Sequence, residues 1–373
     1  MNPTRHRPDF VLLIVILLLV SIGLLTIYSA SIIWAYQKLG VSPNHFFIRQ
    51  CIFSIIGLFF LFLTMNMPYW NWRKLLVLML PGSFFMLLLV FVFEPVKDVH
   101  RWIQLGSFSI QPSEVATLTI IIYCAHILTK KKDKLQDFKK GIVPPMVITG
   151  LFAFLVLLQP DMDAAALIVV TALAVMFAAG TPLLHLARVV LPATFLAFIF
   201  IFTSEWRRQR VLAFLDPFAE ENLQDWGFQQ AHSLYAIASG GWMGKGLGRS
   251  IEKFLYLPEP HTDFIFAIFI EEWGIIGGVF LISLFAILIW RGGRIAARLP
   301  DRFGALMAVG ITSMIGVAVV INIGVVTGTI PVMGIPLPFI TYGGSALVIK
   351  MMAMGILLNL SRYTVEDHHV SRR

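Results

Sequence analysis

Ten apolar stretches, each close to the length that crosses a bilayer, fill this chain and leave little room for a soluble domain. About 20 apolar residues in a helix span the roughly 30 Å hydrocarbon core. In lipid, only helices or closed barrels satisfy every backbone group. The runs are continuous and lack the short alternating segments of a barrel, so the chain is expected to be an all-α polytopic membrane protein. Hydrophobic residues make up 58% of it and charged residues only 13%, which turns each polar group at membrane depth into a functional suspect.

Helices are expected at 10–30, 47–66, 75–94, 112–129, 143–159, 163–180, 185–203, 264–290, 304–328 and 343–361. The first exceeds the apolar core of a signal peptide and no small-residue cleavage site follows, so it reads as an anchor that stays. Orientation follows from basic residues in short loops. Arg5 and Arg7 precede the first span; Arg73 and Lys74 separate the second and third. Lys130, Lys131, Lys132, Lys134, Lys139 and Lys140 lie between four and five. Arg291, Arg294, Arg298 and Arg302 lie between eight and nine, and Arg362, Arg372 and Arg373 end the chain. All of these share one side if the count is ten and both termini are cytoplasmic. The net charge of +8 is then a topology signal and an attraction to anionic membrane lipid, not a nucleic-acid footprint. Cys51 and Cys124 fall inside expected helices without metal-ligand spacing and read as small buried hydrophobes. The whole of 1–373 reads as one membrane domain.

One connection breaks the pattern. Residues 204–262, on the non-cytoplasmic face, run to about sixty residues where most loops have a handful. The stretch from Phe228 through Leu234, Tyr235 and Ala238 has helical spacing, with Gln229, Gln230 and His232 opposite. It would lie in the membrane interface or pack on top of the bundle. Arg207, Arg208 and Arg210 beside Trp206, then Lys245, Arg249 and Lys253, suit either an anionic ligand or a solvated charged face. Gly240, Gly241, Gly244, Gly246 and Gly248 around Lys245 miss the phosphate-loop spacing and read as a flexible connector.

Ionisable residues at membrane depth are few. Glu114 opens the fourth span, Asp161 and Asp163 sit at the turn between five and six, and Asp263 lies at the outer mouth of eight. Glu271 and Glu272 follow within it, and Lys350 lies about two turns into ten. Asp263 and Glu271 are spaced to share one side of a helix. Carboxylates facing an outer cavity could bind a cation, form an acid/base set or relay protons.

Several blocks now point one way. They are Arg101-Trp102, Gln111-Pro112-Ser113-Glu114, Gln159-Pro160-Asp161, Arg210 followed by Asp216-Pro217, Leu257-Pro258-Glu259-Pro260-His261-Thr262-Asp263 with Glu271-Glu272 and Gly274, and Pro336-Leu337-Pro338 leading to Tyr342-Gly343-Gly344-Ser345. Together they resemble the SEDS family, the shape, elongation, division and sporulation proteins of bacteria, and the division and sporulation branch more than the elongation branch. The resemblance implies ten spans with a large outer loop between seven and eight. It implies an inverting peptidoglycan glycosyltransferase that polymerises lipid II at the outer face of the bacterial cytoplasmic membrane. By the same resemblance Asp263 would be the general base. Arg210, with Lys245 or Arg249, would hold pyrophosphate, and Glu114 and Asp161 would shape the cavity. Arg101, Glu271, Tyr342, Ser345 and Lys350 would support them. A divalent cation, Mg or Mn, could share the pyrophosphate charge, and the residues leave the metal requirement open. Implied partners are lipid II, undecaprenyl-pyrophosphate-linked glycan and a class B penicillin-binding protein, since no transpeptidase serine motif is present. Three departures stand out: Thr117 where the family usually has Lys, Asp163 where it has Gly, and Lys350 in an otherwise apolar span. These three changes would be coupled, with Lys350 supplying charge near Asp161, Asp163 or Glu114. The rival classes are a lipid II transporter and a non-catalytic scaffold.

Overall fold

The computed structural model describes residues 6–95, 99–106, 108–254 and 256–365. Arg5, Arg372 and Arg373, used above for orientation, lie outside the described residues.

Each apolar stretch becomes a helix: α1 (Phe10–Leu39), α2 (His45–Asn66), α3 (Asn71–Leu89), α4 (Pro112–Lys130), α5 (Val143–Leu158), α6 (Met162–Ala178) and α7 (Leu183–Phe202). The outer segment folds into α8 (Glu205–Leu215), α9 (Glu220–Leu223) and α10 (Phe228–Gly240). Then come α11 (Ile265–Arg298), α12 (Arg302–Val326) and α13 (Gly344–Ser361). A two-stranded antiparallel ribbon, β1 (Ile103–Leu105) with β2 (Phe108–Ile110), leads into α4. Among the described residues, eight helices are long and apolar enough to cross a membrane, and Met162–Ala178 and Leu183–Leu196 are shorter apolar helical segments. The chain is a polytopic membrane protein.

Helix ends follow local chemistry. Asp9 caps α1 by accepting from the Leu12 N–H at 3.0 Å, and Gly40 closes it in the left-handed region at φ 63°. Pro112 opens α4 where its missing N–H costs nothing. Asp161 and Asp301 cap α6 and α12. The expected spans follow these helices to within about five residues, with two marked overruns: α1 runs on to Leu39, nine residues past its expected end, and α11 runs eight past its own. α11 continues to Arg298, so Arg291, Arg294 and Arg298 ride on two extra helical turns and not in a loop. The Gly292-Gly293 pair is carried inside the helix, which ends at Arg298 ahead of Leu299 and Pro300.

α4, α12 and α13 form the buried centre. α4 packs on α3, α6 and α12, α12 also on α11, and α13 on α2. α2 and α3 leave most of their surface outward, as lipid-facing helices must. Cys124 is fully buried, as expected, whereas Cys51 is only half-buried because α2 faces mostly outward.

The outer segment departs from two expectations. α10 packs on α11 and α12 through Gln230, Ala231, Ser233 and Ala236, with Ser233 Oγ donating to the Val326 carbonyl at 2.8 Å, while Tyr235 is exposed. Of the two placements, packing on the bundle wins, because its small residues permit close helix approach.

The glycine-rich turn is no loose connector. α11 is broken at Gly274, which has φ 71° and ψ −178°. The glycine turn inserts at the break. Lys245 N donates to Glu271 O at 2.9 Å, Gly246 N to Glu272 O at 3.0 Å and Ile275 N to Gly241 O at 2.9 Å. A Cβ on Gly274 would sit 2.3 Å from the Trp242 carbonyl oxygen. Gly274→Ala is therefore expected to destabilise the protein by about 2–4 kcal/mol, through both the left-handed backbone and the clash. Gly293→Ala, on the same helix with nothing within 4 Å of its would-be Cβ, should be neutral or slightly stabilising. Thermal unfolding of the two purified variants in detergent checks the contrast; equal midpoints would contradict it.

Candidate active site

A cavity of about 420 Å³ opens where the N-terminal ends of α2, α4, α6 and α13 meet the loops 257–264 and 331–343. The two loops are knitted together. Tyr342 N donates to His261 O at 3.0 Å, and the Thr341 hydroxyl donates to Thr262 O at 3.3 Å. From inside α12, Asn322 Nδ2 donates to the main-chain carbonyls of Asp263 and Ile335, both at 2.8 Å. One buried amide thus sets the backbone of both loops.

Asp263 enters this cavity from the residue pair before α11. Opposite it, Asp163 on the first turn of α6 accepts from the Gly334 N–H at 2.8 Å. Gly334 lies between the two carboxylates. A Cβ there would be 3.1 Å from Asp163 Oδ2 and 3.5 Å from Asp263 Oδ2. Enclosure by protein pushes the Asp263 carboxyl up to about 7, with the charges of Asp163, Glu259 and Asp161 adding to the rise and Arg101 opposing it. Asp161 is also raised, first by burial. Arg101, 4.0 Å away, the Ala164 N–H at 3.2 Å and Gln111 Nε2 at 3.2 Å all hold it down. Arg101 further ties the turn by donating to the Pro160 carbonyl. Ser345 accepts from Gln111 N at 3.1 Å and so fastens α13 to the start of α4.

The inner end of the cavity is ionic. Lys350 Nζ donates to Glu114 Oε1 at 2.5 Å, with both side chains buried. Thr117, one turn on from Glu114, also lines the cavity and turns its hydroxyl back to Ser113 O at 2.8 Å. Lys350 therefore stands by one of the three carboxylates named for it.

The sequence candidates now divide. Asp263, Asp161, Glu114, Arg101, Tyr342, Ser345 and Lys350 all line the cavity. Arg210, on α8, comes close enough for the charges of Asp163 and Asp263 to act on its guanidinium. Lys245 and Glu271 do not join them. Glu271 accepts from Lys245 Nζ at 2.7 Å, Ser250 Oγ at 2.5 Å, Ile251 N at 2.9 Å and Ser239 Oγ at 3.2 Å. The helical spacing from Asp263 to Glu271 fails as a guide because Asp263 precedes α11, and Glu271, fully buried, anchors the glycine turn away from the cavity. Lys253 is likewise spent inside, 2.9 Å from both Glu272 Oε1 and Ser29 Oγ. Arg249 is exposed and lines no part of the cavity. Arg49 and Asn322, which help to build the site, were missed. Arg49 lines the cavity and hydrogen-bonds the Tyr342 phenol, opposing the rise that burial gives it. An arginine at the outer end of a span, where basic residues are scarce, was the available signal. Asn322 was betrayed only by being an amide in an apolar helix.

Among the described residues no group of three or more His, Cys, Asp and Glu side chains could hold a metal ion. Asp163, facing Asp263 across Gly334, offers one carboxylate beside the base. That suits a Mg²⁺ ion, which takes one or two carboxylates and fills its shell with water and substrate phosphate.

The family model of the FtsW/RodA/SpoVE cell cycle proteins matches residues 9–366. Stage V sporulation protein E of Bacillus subtilis (strain 168) is 44% identical over 368 residues, 98% of this chain and 100% of its own length. An FtsW of Geobacter sp. (strain M18), named a probable peptidoglycan glycosyltransferase, is 40% identical, with 95% of this chain and 96% of its own covered. Among solved structures, one chain from work on structural coordination of polymerization and crosslinking by a peptidoglycan synthase complex superposes with a TM-score of 0.77. It is 26% identical and covers 95% of this chain and 98% of its own. The rod shape determining protein RodA of Thermus thermophilus gives a TM-score of 0.70 at 25% identity, covering 96% and 98%.

Proposed function

This chain belongs to the FtsW/RodA/SpoVE family of cell cycle proteins, and from that premise we propose that it is a peptidoglycan glycosyltransferase that polymerises lipid II. The reading takes the chain as one membrane domain of ten spans in the bacterial cytoplasmic membrane. Both termini are cytoplasmic and the cavity opens outward. α6 and α7 then complete the count. In the reaction the 4-hydroxyl of an acceptor sugar attacks the anomeric carbon of a donor on undecaprenyl pyrophosphate. The hydroxyl proton goes to Asp263, the new glycosidic bond forms with inversion, and the pyrophosphate leaves. Arg101, which lines the cavity, and Arg210, which the charges of Asp163 and Asp263 reach, would offset the negative charge that grows there. A Mg²⁺ or Mn²⁺ ion held by Asp163 and the pyrophosphate oxygens would neutralise part of it and leave Asp263 to take the proton. Cross-links would come from a class B penicillin-binding protein alongside.

The observation that supports this most is Asp263 itself: a carboxylate at the cavity wall, raised to about 7 and so matched to proton transfer near neutrality. The test is polymerisation of labelled lipid II by the purified protein with its partner synthase. Glycan strands are the expected product. Lipid II that crosses vesicle membranes with no strands formed would put the transporter reading in its place.

The pH dependence follows from the same geometry. Asp263 must be ionised to accept the proton, so the rate should rise through about pH 7 and level off above it. Asp163→Asn keeps an oxygen to accept the Gly334 N–H but removes a like charge. The folded-state pKa of Asp263 then falls and the profile moves toward acid. Initial rates measured across pH for both proteins check this; coincident profiles would show that Asp163 does not act on the base.

A further inference from the structure

At the end of the bundle opposite the cavity, a second concavity of about 370 Å³ is lined by Arg7, Asp9, Arg291, Arg294 and Arg298, with the Ser361 and Thr364 hydroxyl-bearing residues at its back. We propose that it binds the phosphodiester headgroup of an anionic phospholipid from the leaflet on that side, the cytoplasmic one in the orientation given above.

The site is built, not incidental. Arg291, Arg294 and Arg298 recur at three- and four-residue steps, so they share one face of the part of α11 that overruns the membrane. The N-terminal segment is strapped across them. His6 N donates to Arg362 O at 2.8 Å and Asp9 N to Ser361 Oγ at 3.0 Å, which sets Arg7 at the rim. Asp9 pairs with Arg291, whose Nε and Nη2 lie 2.6 Å and 2.5 Å from Asp9 Oδ2. Among the described residues that line the concavity, Asp9 is the one carboxylate, and Arg7 and Arg294 stand at the rim beside this pair. Arg362 adds nothing here, because its guanidinium turns to Asn66 Oδ1 at 3.2 Å.

The surroundings favour a lipid over a soluble anion. Phe10, Val11 and Ile14 on α1 and Trp290 on α11 are all exposed apolar surface beside the arginines. Arg294 lies 5.4 Å from the Trp290 ring centroid and Arg291 5.7 Å, so the indole sits directly at the charged rim. An aromatic ring at the headgroup level with cations above it matches the boundary between headgroup and acyl chain. Guanidinium forks suit phosphate oxygens.

The test uses the full chain in detergent, delipidated, with thermal unfolding followed during titration of short-chain phosphatidylglycerol, short-chain phosphatidylcholine or sodium phosphate. The wild type should be stabilised by phosphatidylglycerol alone, and less so at high salt. Arg7→Gln with Arg294→Gln, which spares the Arg291–Asp9 pair, should raise the phosphatidylglycerol concentration needed by about twenty-five-fold, at about fivefold per arginine near an anionic headgroup. Arg7→Lys with Arg294→Lys should stay close to wild type. Equal stabilisation by phosphatidylcholine, an unchanged titration in the glutamine variant, or equal losses in the lysine and glutamine variants would overturn the proposal. Stabilisation by sodium phosphate as strong as by lipid would assign the site to a free anion instead.

Discussion

Asp263→Asn should lower lipid II polymerisation by about 10²–10⁴-fold while the protein stays folded, since a positioned base contributes about that factor. Asparagine keeps the size and one oxygen, and the backbone bond from Asn322 to the Asp263 carbonyl does not involve the side chain. Stability even has a reason to rise. A carboxyl whose folded pKa lies above its ordinary value favours the folded state only while protonated, so wild-type stability is lost as pH climbs from about 4 to about 7. Removing the ionisable group lifts that penalty at alkaline pH. Polymerisation rate and unfolding midpoint measured on the same preparation separate the two effects. A variant that is folded and fully active would move the base to another cavity carboxylate, Asp161 or Asp163.

The largest stability effect should come from Lys350→Met. The substitution removes one half of a buried ion pair and leaves Glu114 facing an apolar side chain. Breaking such a pair costs about 3–5 kcal/mol, whereas replacing both partners with apolar groups of similar size is often close to neutral. Lys350→Met combined with Glu114→Leu is therefore expected to recover most of the loss. The double-mutant cycle should return a coupling of about 2 kcal/mol or more. Thermal unfolding of the single and double variants supplies the numbers. A single variant within about 0.5 kcal/mol of wild type would mean that the pair is not held out of water. Activity should fall in both, because the cavity floor loses its charge pattern.

That pair also shows where sequence reading stops. Lys350 and Glu114 are separated by 236 positions. Their relation to Thr117 was legible only as an exchange of residue types against a family pattern, and it took the packing of α13 beside α4 to make it a contact. Much else was legible. The helices fall where the apolar runs place them. Asp161, Glu114 and Asp263 converge as their blocks foretold, and Asp161 even doubles as the cap of α6. Spacing misled at Glu271, because the relation of Asp263 to a continuous helix assumed regular backbone from 263 onward. The glycine turn misled because five glycines read as freedom, whereas Gly244 and Gly274 are there to let two backbone segments touch.

The sequence by itself determined the solvent and hence the secondary structure, since a chain with long apolar runs has no way to satisfy its backbone in lipid except as helices. The tertiary structure decided which charges cancel. Lys245 and Lys253 look like Arg210 in sequence, all cations on one outer loop, yet the first two are neutralised by Glu271 and Glu272 and Arg210 alone comes near the carboxylates of the cavity. Coulomb attraction depends on distance through space and on what separates the charges, and neither is written in their order along the chain.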